Sequence, residues 1–213
     1  MDSRSFHFVL VHGACFGAWC WYKVADLLIK GGHIVSALDM ASQGINPTDA
    51  DHISTLEEYN QPLTEFFTAL PSHHKVILVG HSAGGINVTY TMERFPHKIA
   101  AAVFVTAVMA LSGPTVNDSF KEDICLTDSL LKTFPLGEEA ISYSNENYGR
   151  VPRAYVVAKD DKILSEEFQR KMIAENLPQM VYEIEGSDHS PFFSKPDQLA
   201  HTLLQIANRF LCD

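Results

Sequence analysis

Gly80-His81-Ser82-Ala83-Gly84 fits the pattern G-x-S-x-G. That pattern carries chemistry where an apolar strand precedes it and a helix follows, because a sharp strand-to-helix turn with small neighbours lifts the serine hydroxyl above the sheet edge. The context is present: Lys75–Val79 reads as an apolar strand and Ala83–Arg94 as a helix. A serine hydroxyl is a weak nucleophile at neutral pH, so a base must take its proton and an acid must hold the tautomer of the base. Later strand ends are expected to supply both, in the order serine, acid, histidine. The strand pattern Arg153–Ala158 ends at Lys159-Asp160-Asp161, and Met180–Glu185 ends at Gly186-Ser187-Asp188-His189. His189 is the candidate base and Asp161 the candidate acid. Spacing alone leaves Asp160 open beside Asp161, one of the two being a solvated turn residue. His7, His33, His52, His73, His74, His97 and His201 lack such placement and read as structural.

Attack on a carbonyl turns its oxygen into an anion that needs two preorganised donors, and losing one costs about 10²–10³ in turnover. His12-Gly13-Ala14, directly after the first strand pattern, supplies one side of that hole. The backbone amides of Ala14 and Ala83 are the expected donors. Gly13 and His81, beside them in the chain, are expected to line the substrate. The reaction requires no metal and no organic cofactor, and neither is expected.

These residues must be held by a scaffold, and the chain alternates strand and helix patterns throughout. Phe6–Val11 and His33–Leu38 read as strands and Trp19–Lys30 as a helix stopped by Gly31-Gly32. Ser54-Thr55-Leu56-Glu57 has the capping-box form and predicts one helix to about Leu70, before Pro71. Ala100–Met109 is a buried strand, and helices follow at Glu166–Asn176 and Pro196–Leu211. Continuous Val/Ile/Leu strands alternating with helices predict a mostly parallel sheet of about six strands covered on both faces, in one domain spanning 1–213. Residues 112–150 break the alternation with Gly113-Pro114, Pro135, Gly137 and a weak helical pattern near Asp128–Phe134. An interval of that length is expected to be a functional excursion above the sheet.

Composition excludes other classes. The 213 residues carry 16 Lys+Arg against 26 Asp+Glu, a formal charge of −10 with no basic cluster, which sets nucleic acid aside as a partner. Hydrophobic residues at 46% and charged residues at 20% describe a globular chain able to fold on its core alone. Cys15, Cys20, Cys125 and Cys212 match no CxxC or zinc spacing and are expected to be reduced thiols in a cytosolic protein. The longest apolar run, Ile99–Leu111, falls short of the ~18–20 residues of a membrane span. Met1–Ser5 is polar and leads into a strand, so no signal sequence and no membrane partner are expected.

Four segments carry a family resemblance: Phe8-Val9-Leu10-Val11-His12-Gly13-Ala14-Cys15, Trp19-Cys20-Trp21-Tyr22-Lys23, Val76 through Gly85, and Glu166-Glu167-Phe168-Gln169. Together they resemble the plant methylesterase and hydroxynitrile lyase family of α/β-hydrolases over nearly the whole chain apart from the middle excursion. The resemblance implies the α/β-hydrolase fold, Ser82, Asp161 and His189 as the triad, the second Asp of the pair falling on the family's acid, and Ala14 and Ala83 as oxyanion donors. Lyases of this family place a threonine after the first strand and a lysine after the catalytic histidine to handle cyanide. Here those positions hold Gly13 and Ser190, which favours hydrolysis.

The run Ser187 through Phe193 resembles members acting on methyl esters of indole-acetate or chlorophyll-breakdown type. The expected activity is therefore hydrolysis of a small carboxylic methyl ester. The alternatives are lyase or decarbomethoxylating chemistry at the same serine, or a receptor-like hydrolase that binds without turnover. Family members carry a cap roughly twice as long as 112–150, so this one is expected to be reduced, leaving an open site or apolar surface for a second copy in a homodimer to cover.

Overall fold

The computed structural model describes residues 5–109 and 143–212. The expected cap, including the weak helical pattern at 128–134, lies outside the described residues apart from 143–150.

Six strands form one sheet: β1 His7–Val11, β2 Ile34–Leu38, β3 Val76–Ser82, β4 Ile99–Ala107, β5 Arg153–Ala158 and β6 Met180–Ile184. They run in the order β2-β1-β3-β4-β5-β6, and every pairing is parallel. Because side chains alternate between faces along a strand, the inner strands β1, β3, β4 and β5 feed two cores. Val9, Val11, Leu78, Phe104 and Tyr155 face one apolar layer, while Phe8, Leu10, Val79, Val105 and Val156 face the other. The helices divide accordingly. α1 (Tyr22–Lys30) and α6 (Pro196–Cys212) send Val24, Leu28, Leu203 and Ile206 into the second layer. α3 (Gln61–Ala69), α4 (Gly84–Arg94) and α5 (Glu166–Glu175) send Leu63, Phe67, Val88, Met92 and Met172 into the first. β4 is buried along its whole length, which explains a sequence that is apolar except for Thr106.

Two expectations are corrected in detail. The capping box is built by Thr55 and Glu58, one residue later than the Ser54/Glu57 reading. Glu58 N–H donates to Thr55 Oγ1 at 3.1 Å and Thr55 N–H to Glu58 Oε2 at 3.0 Å, with Ser54 donating to the same carboxylate. Either hydroxyl satisfies the sequence pattern, and the apolar register of Leu56 decides which one caps. The helix it opens is also two helices, since α2 (Leu56–Tyr59) breaks at Asn60 before Gln61 starts α3. The Asn60 side chain donates back to Leu56 O at 2.8 Å, and the side chain of Asn87 donates to Asn60 at 2.8 Å, a tertiary bond invisible to local pattern. At the far end, buried Lys98 donates to Phe67 O at 2.6 Å and Leu70 O at 2.7 Å, satisfying carbonyls that the end of α3 leaves open.

The strand order places the site. From β1 the chain moves outward to β2, then returns to pair β3 on the other side of β1. The carboxyl ends of β1 and β3 therefore flank the crevice where open parallel sheets bind their ligands.

Candidate active site

Ser82 is the last residue of β3, held at φ 52°, and α4 begins two residues later. A positive φ at a non-glycine residue is uncommon and marks strain held by its surroundings. Gly84 makes the turn feasible: a Cβ there would lie 2.6 Å from His12 O, backbone against backbone. On the other side, Ser82 O accepts from Val108 N–H at 3.0 Å, tying the turn to the end of β4.

The three candidates meet at this rim. Ser82 Oγ lies 2.9 Å from His189 Nε2, and His189 Nδ1 lies 2.6 Å from Asp161 Oδ2. An ionised carboxylate only accepts, so Nδ1 carries the proton and Nε2 is left to accept from the serine hydroxyl. Asp161 has a fully buried side chain, and its other oxygen accepts from the amides of Ile163 at 2.7 Å and Leu164 at 2.9 Å. Thr106 Oγ1 donates a fourth, short hydrogen bond to Oδ2. Burial alone would push the carboxyl up, but the His189 contact, then Thr106 and the Ile163 amide, outweigh it and hold Asp161 below the usual carboxylate range. Asp160 is exposed, so the structure separates the pair that spacing left open.

The loop carrying Asp161 is pinned from behind. Gln169 on α5 is fully buried, accepts from Ala158 N–H at 3.1 Å and donates to Ala158 O at 3.0 Å and Leu164 O at 2.7 Å.

Ala83 and Ala14 flank the serine from β3 and β1. Among the described residues neither of their amides has an acceptor within the protein, which leaves both donors unspent. Gly13 fits between them closely: a Cβ there would lie 2.8 Å from Ser82 Cβ. Two residues that sequence reasoning did not assign shape this loop. His12 is buried, accepts from Met40 N–H at 3.2 Å and donates from Nδ1 to Gly13 O at 2.8 Å; burial holds it neutral. Asp39, following β2, accepts from Ala18 N–H at 2.6 Å and Ile45 N–H at 3.2 Å. The signal for both was weak, since each acts through backbone groups distant in sequence.

His81 is placed differently from the expected substrate contact. Its ring has no exposed surface, packed against Phe192 and His189 with both centroids at 4.8 Å. Nε2 donates to His189 O at 2.6 Å, and Nδ1 has no partner among the described residues and lies against Gly13. Burial, and next the neighbouring His189, hold it well below the ordinary imidazole range. Nothing of it is left to face a ligand. Among the described residues no group of three or more His, Cys, Asp or Glu is arranged to hold a metal ion.

The Alpha/beta hydrolase family model matches residues 8–126. Methylesterase 8 of Arabidopsis thaliana is 40% identical over 245 aligned positions, covering 96% of this chain and 90% of its own length. The chain belongs to the plant methylesterase family of α/β-hydrolases. Within that family, solved structures share its backbone. A variant of tomato methylketone synthase I, complexed with beta-ketoheptanoate, superposes with a TM-score of 0.85 at 34% identity, covering 97% of this chain and 99% of that one. Polyneuridine aldehyde esterase gives 0.82 at 33% identity, covering 96% and 100%. For the methylesterase relative, 245 aligned positions against the 213 residues of this chain leave at least 32 positions facing gaps here.

Proposed function

We propose that this α/β-hydrolase cleaves a methyl ester of a small carboxylic acid through an acyl-serine intermediate, with Ser82, His189 and Asp161 as its triad. The single observation that carries the reading is the continuous chain Ser82 Oγ to His189 Nε2 to Asp161, at 2.9 and 2.6 Å. His189 Nε2 takes the Ser82 proton as Oγ bonds to the ester carbon. The resulting oxyanion sits on the Ala14 and Ala83 amides. As that intermediate collapses, the bond to methoxide breaks, His189 returns the proton to it, and methanol leaves. Water then gives its proton to His189 and attacks the acyl carbon, and collapse releases the acid and restores Ser82. Asp161 stays ionised throughout, its two oxygens saturated by four donors.

The relative named for methyl ester hydrolysis supports the substrate class, and Gly13 and Ser190 support hydrolysis over cyanide chemistry. The crowding at Gly13 adds a steric reason, since any side chain there presses on the nucleophile. We read 1–213 as one domain with a reduced cap within 112–150. The 245 aligned positions against 213 residues support a chain shorter than that relative over the matched span. Cysteines that match no disulfide framework support the cytosol as the compartment. Among the described residues no helix is long and apolar enough to cross a membrane.

The test is methanol release by the purified protein from methyl esters of salicylate, jasmonate, indole-acetate and alkaloid acids. Turnover of at least one ester that falls by about 10⁴-fold or more in Ser82→Ala is the expected result. Turnover undiminished in that variant contradicts the mechanism.

A further inference from the structure

We propose that Thr106 is a positioning residue for the acid arm of the triad, its hydroxyl sharing the Asp161 oxygen that His189 uses and so setting how strongly that carboxylate holds the imidazole. The inference rests on the triad reading above.

Three observations converge on Thr106. The first is the register of the sheet. His81 pairs with Val105 and Ser82 with Ala107, so Thr106 is an extra residue opposite the nucleophile, a bulge in β4. Phe104 and Ala107 consequently share one apolar layer although they are three residues apart, where an unbroken strand would bring residues two apart to the same face. Bulges beside active sites re-aim a side chain. The second is the backbone: Thr106 has φ 37°, and for a β-branched side chain a positive φ is an outlier that only a constraining environment sustains. The third is what the re-aimed side chain does. Thr106 is fully buried and donates from Oγ1 to Asp161 Oδ2. A strained bulge near the end of an apolar strand thus delivers one hydroxyl to one oxygen of the acid.

The consequence follows from counting donors. Oδ1 accepts two amides, and Oδ2 accepts Thr106 and His189. A protonated acid could not accept all four, so the threonine favours the charged form. It also divides the pull of Oδ2 between two donors. Removing the hydroxyl concentrates the carboxylate on His189 and stabilises the imidazolium state of the pair. The other titratable groups nearby are accounted for. The Tyr155 hydroxyl is spent on Ala107 O at 2.9 Å. His81 stacks on the His189 ring, Asp160 and Lys162 are exposed, and Asp188 accepts from Ser190 N–H and Ser194 Oγ.

The experiment measures kcat/KM for a methyl ester against pH for wild type, Thr106→Val, Thr106→Gly and Thr106→Ser, with Ser82→Ala as the blank. Glycine suits the positive φ, so that variant removes the hydroxyl without backbone strain and guards against misfolding of the valine form. The acidic midpoint, which belongs to the Asp161–His189 pair, should rise by about half to one pH unit in the hydroxyl-less variants, with KM unchanged. Serine should restore the wild-type midpoint. A wild-type midpoint in Thr106→Gly overturns the inference, whereas turnover that persists in Ser82→Ala overturns the triad reading instead.

Discussion

His81 Nε2 donates to the backbone carbonyl of His189 at 2.6 Å, so the residue before the proposed nucleophile holds the residue proposed to activate it. With its other nitrogen unpartnered among the described residues and its ring fully buried, His81 is expected to act on geometry and not on substrate. His81→Ala should therefore lower kcat by roughly 10–100-fold through misplacement of the base, leaving KM nearly unchanged. Steady-state kinetics separate this from a substrate contact, whose loss would raise KM.

Gly13 is held to glycine by contact. A methyl group there meets Ser82 Cβ at 2.8 Å and His81 Nδ1 at 2.9 Å, so the nucleophile turn or the His81 ring must shift to admit it. Gly13→Ala is expected to cut ester turnover by about 10²-fold or more while the protein stays folded, because the cost falls on the oxyanion side of the site. Circular dichroism beside kinetics checks both halves. Wild-type turnover would show that the loop relaxes freely.

Gln169 supports the acid loop with three hydrogen bonds, two to Ala158 and one to Leu164. Gln169→Leu keeps similar bulk but takes its partner from the Ala158 amide and the Leu164 carbonyl and leaves Ala158 O with only the Asp161 N–H at 3.4 Å, a loss of about 2–4 kcal/mol. The melting temperature should drop by about 5–15 °C, and kcat should fall with it because Asp161 lies inside the loosened segment. Thermal melts that match wild type would refute the pinning role.

Much of this was written locally in the sequence, and some was not. The six strands and the serine turn were legible because parallel strands are apolar throughout and a G-x-S-x-G turn has a steric logic of its own. Asp161 and His189 were legible as strand-end residues, although only the fold tells Asp161 from exposed Asp160. His12, Asp39, Gln169 and Thr106 were not assigned. Each works through a partner from another strand or loop, and Thr106 depends on a bulge whose register no periodicity reveals. His81, expected to line the substrate, turns its ring into the core, which proximity to Ser82 in sequence does not reveal.

Stability should fall on acidification, from identifiable groups. Burial depresses His12 and His81 in the native state, so the unfolded chain binds more protons below the ordinary imidazole value of about 6.5. Stability from these two is present above that pH and is lost as pH falls below it. At Glu93, burial is outweighed by donors from Ser144, Asn147 and Tyr148, and its carboxyl lies below the usual range. It anchors residues 144–148 to α4, and its contribution, like that of Asp161, is present above the ordinary carboxylate value and lost as pH drops through the depressed one. Melting temperatures should decline from neutral pH into the imidazole range and decline again below about pH 4. In Glu93→Gln the second decline should shrink.

The nucleophile itself can be seen directly. Quenching the protein in acid milliseconds after mixing with a slowly deacylated ester, followed by peptide mass spectrometry, should find the acyl group on the peptide that carries Ser82 and on no other. It should be absent from Ser82→Ala. An acyl group on a different residue, or steady turnover with Ser82 never modified, would contradict the account.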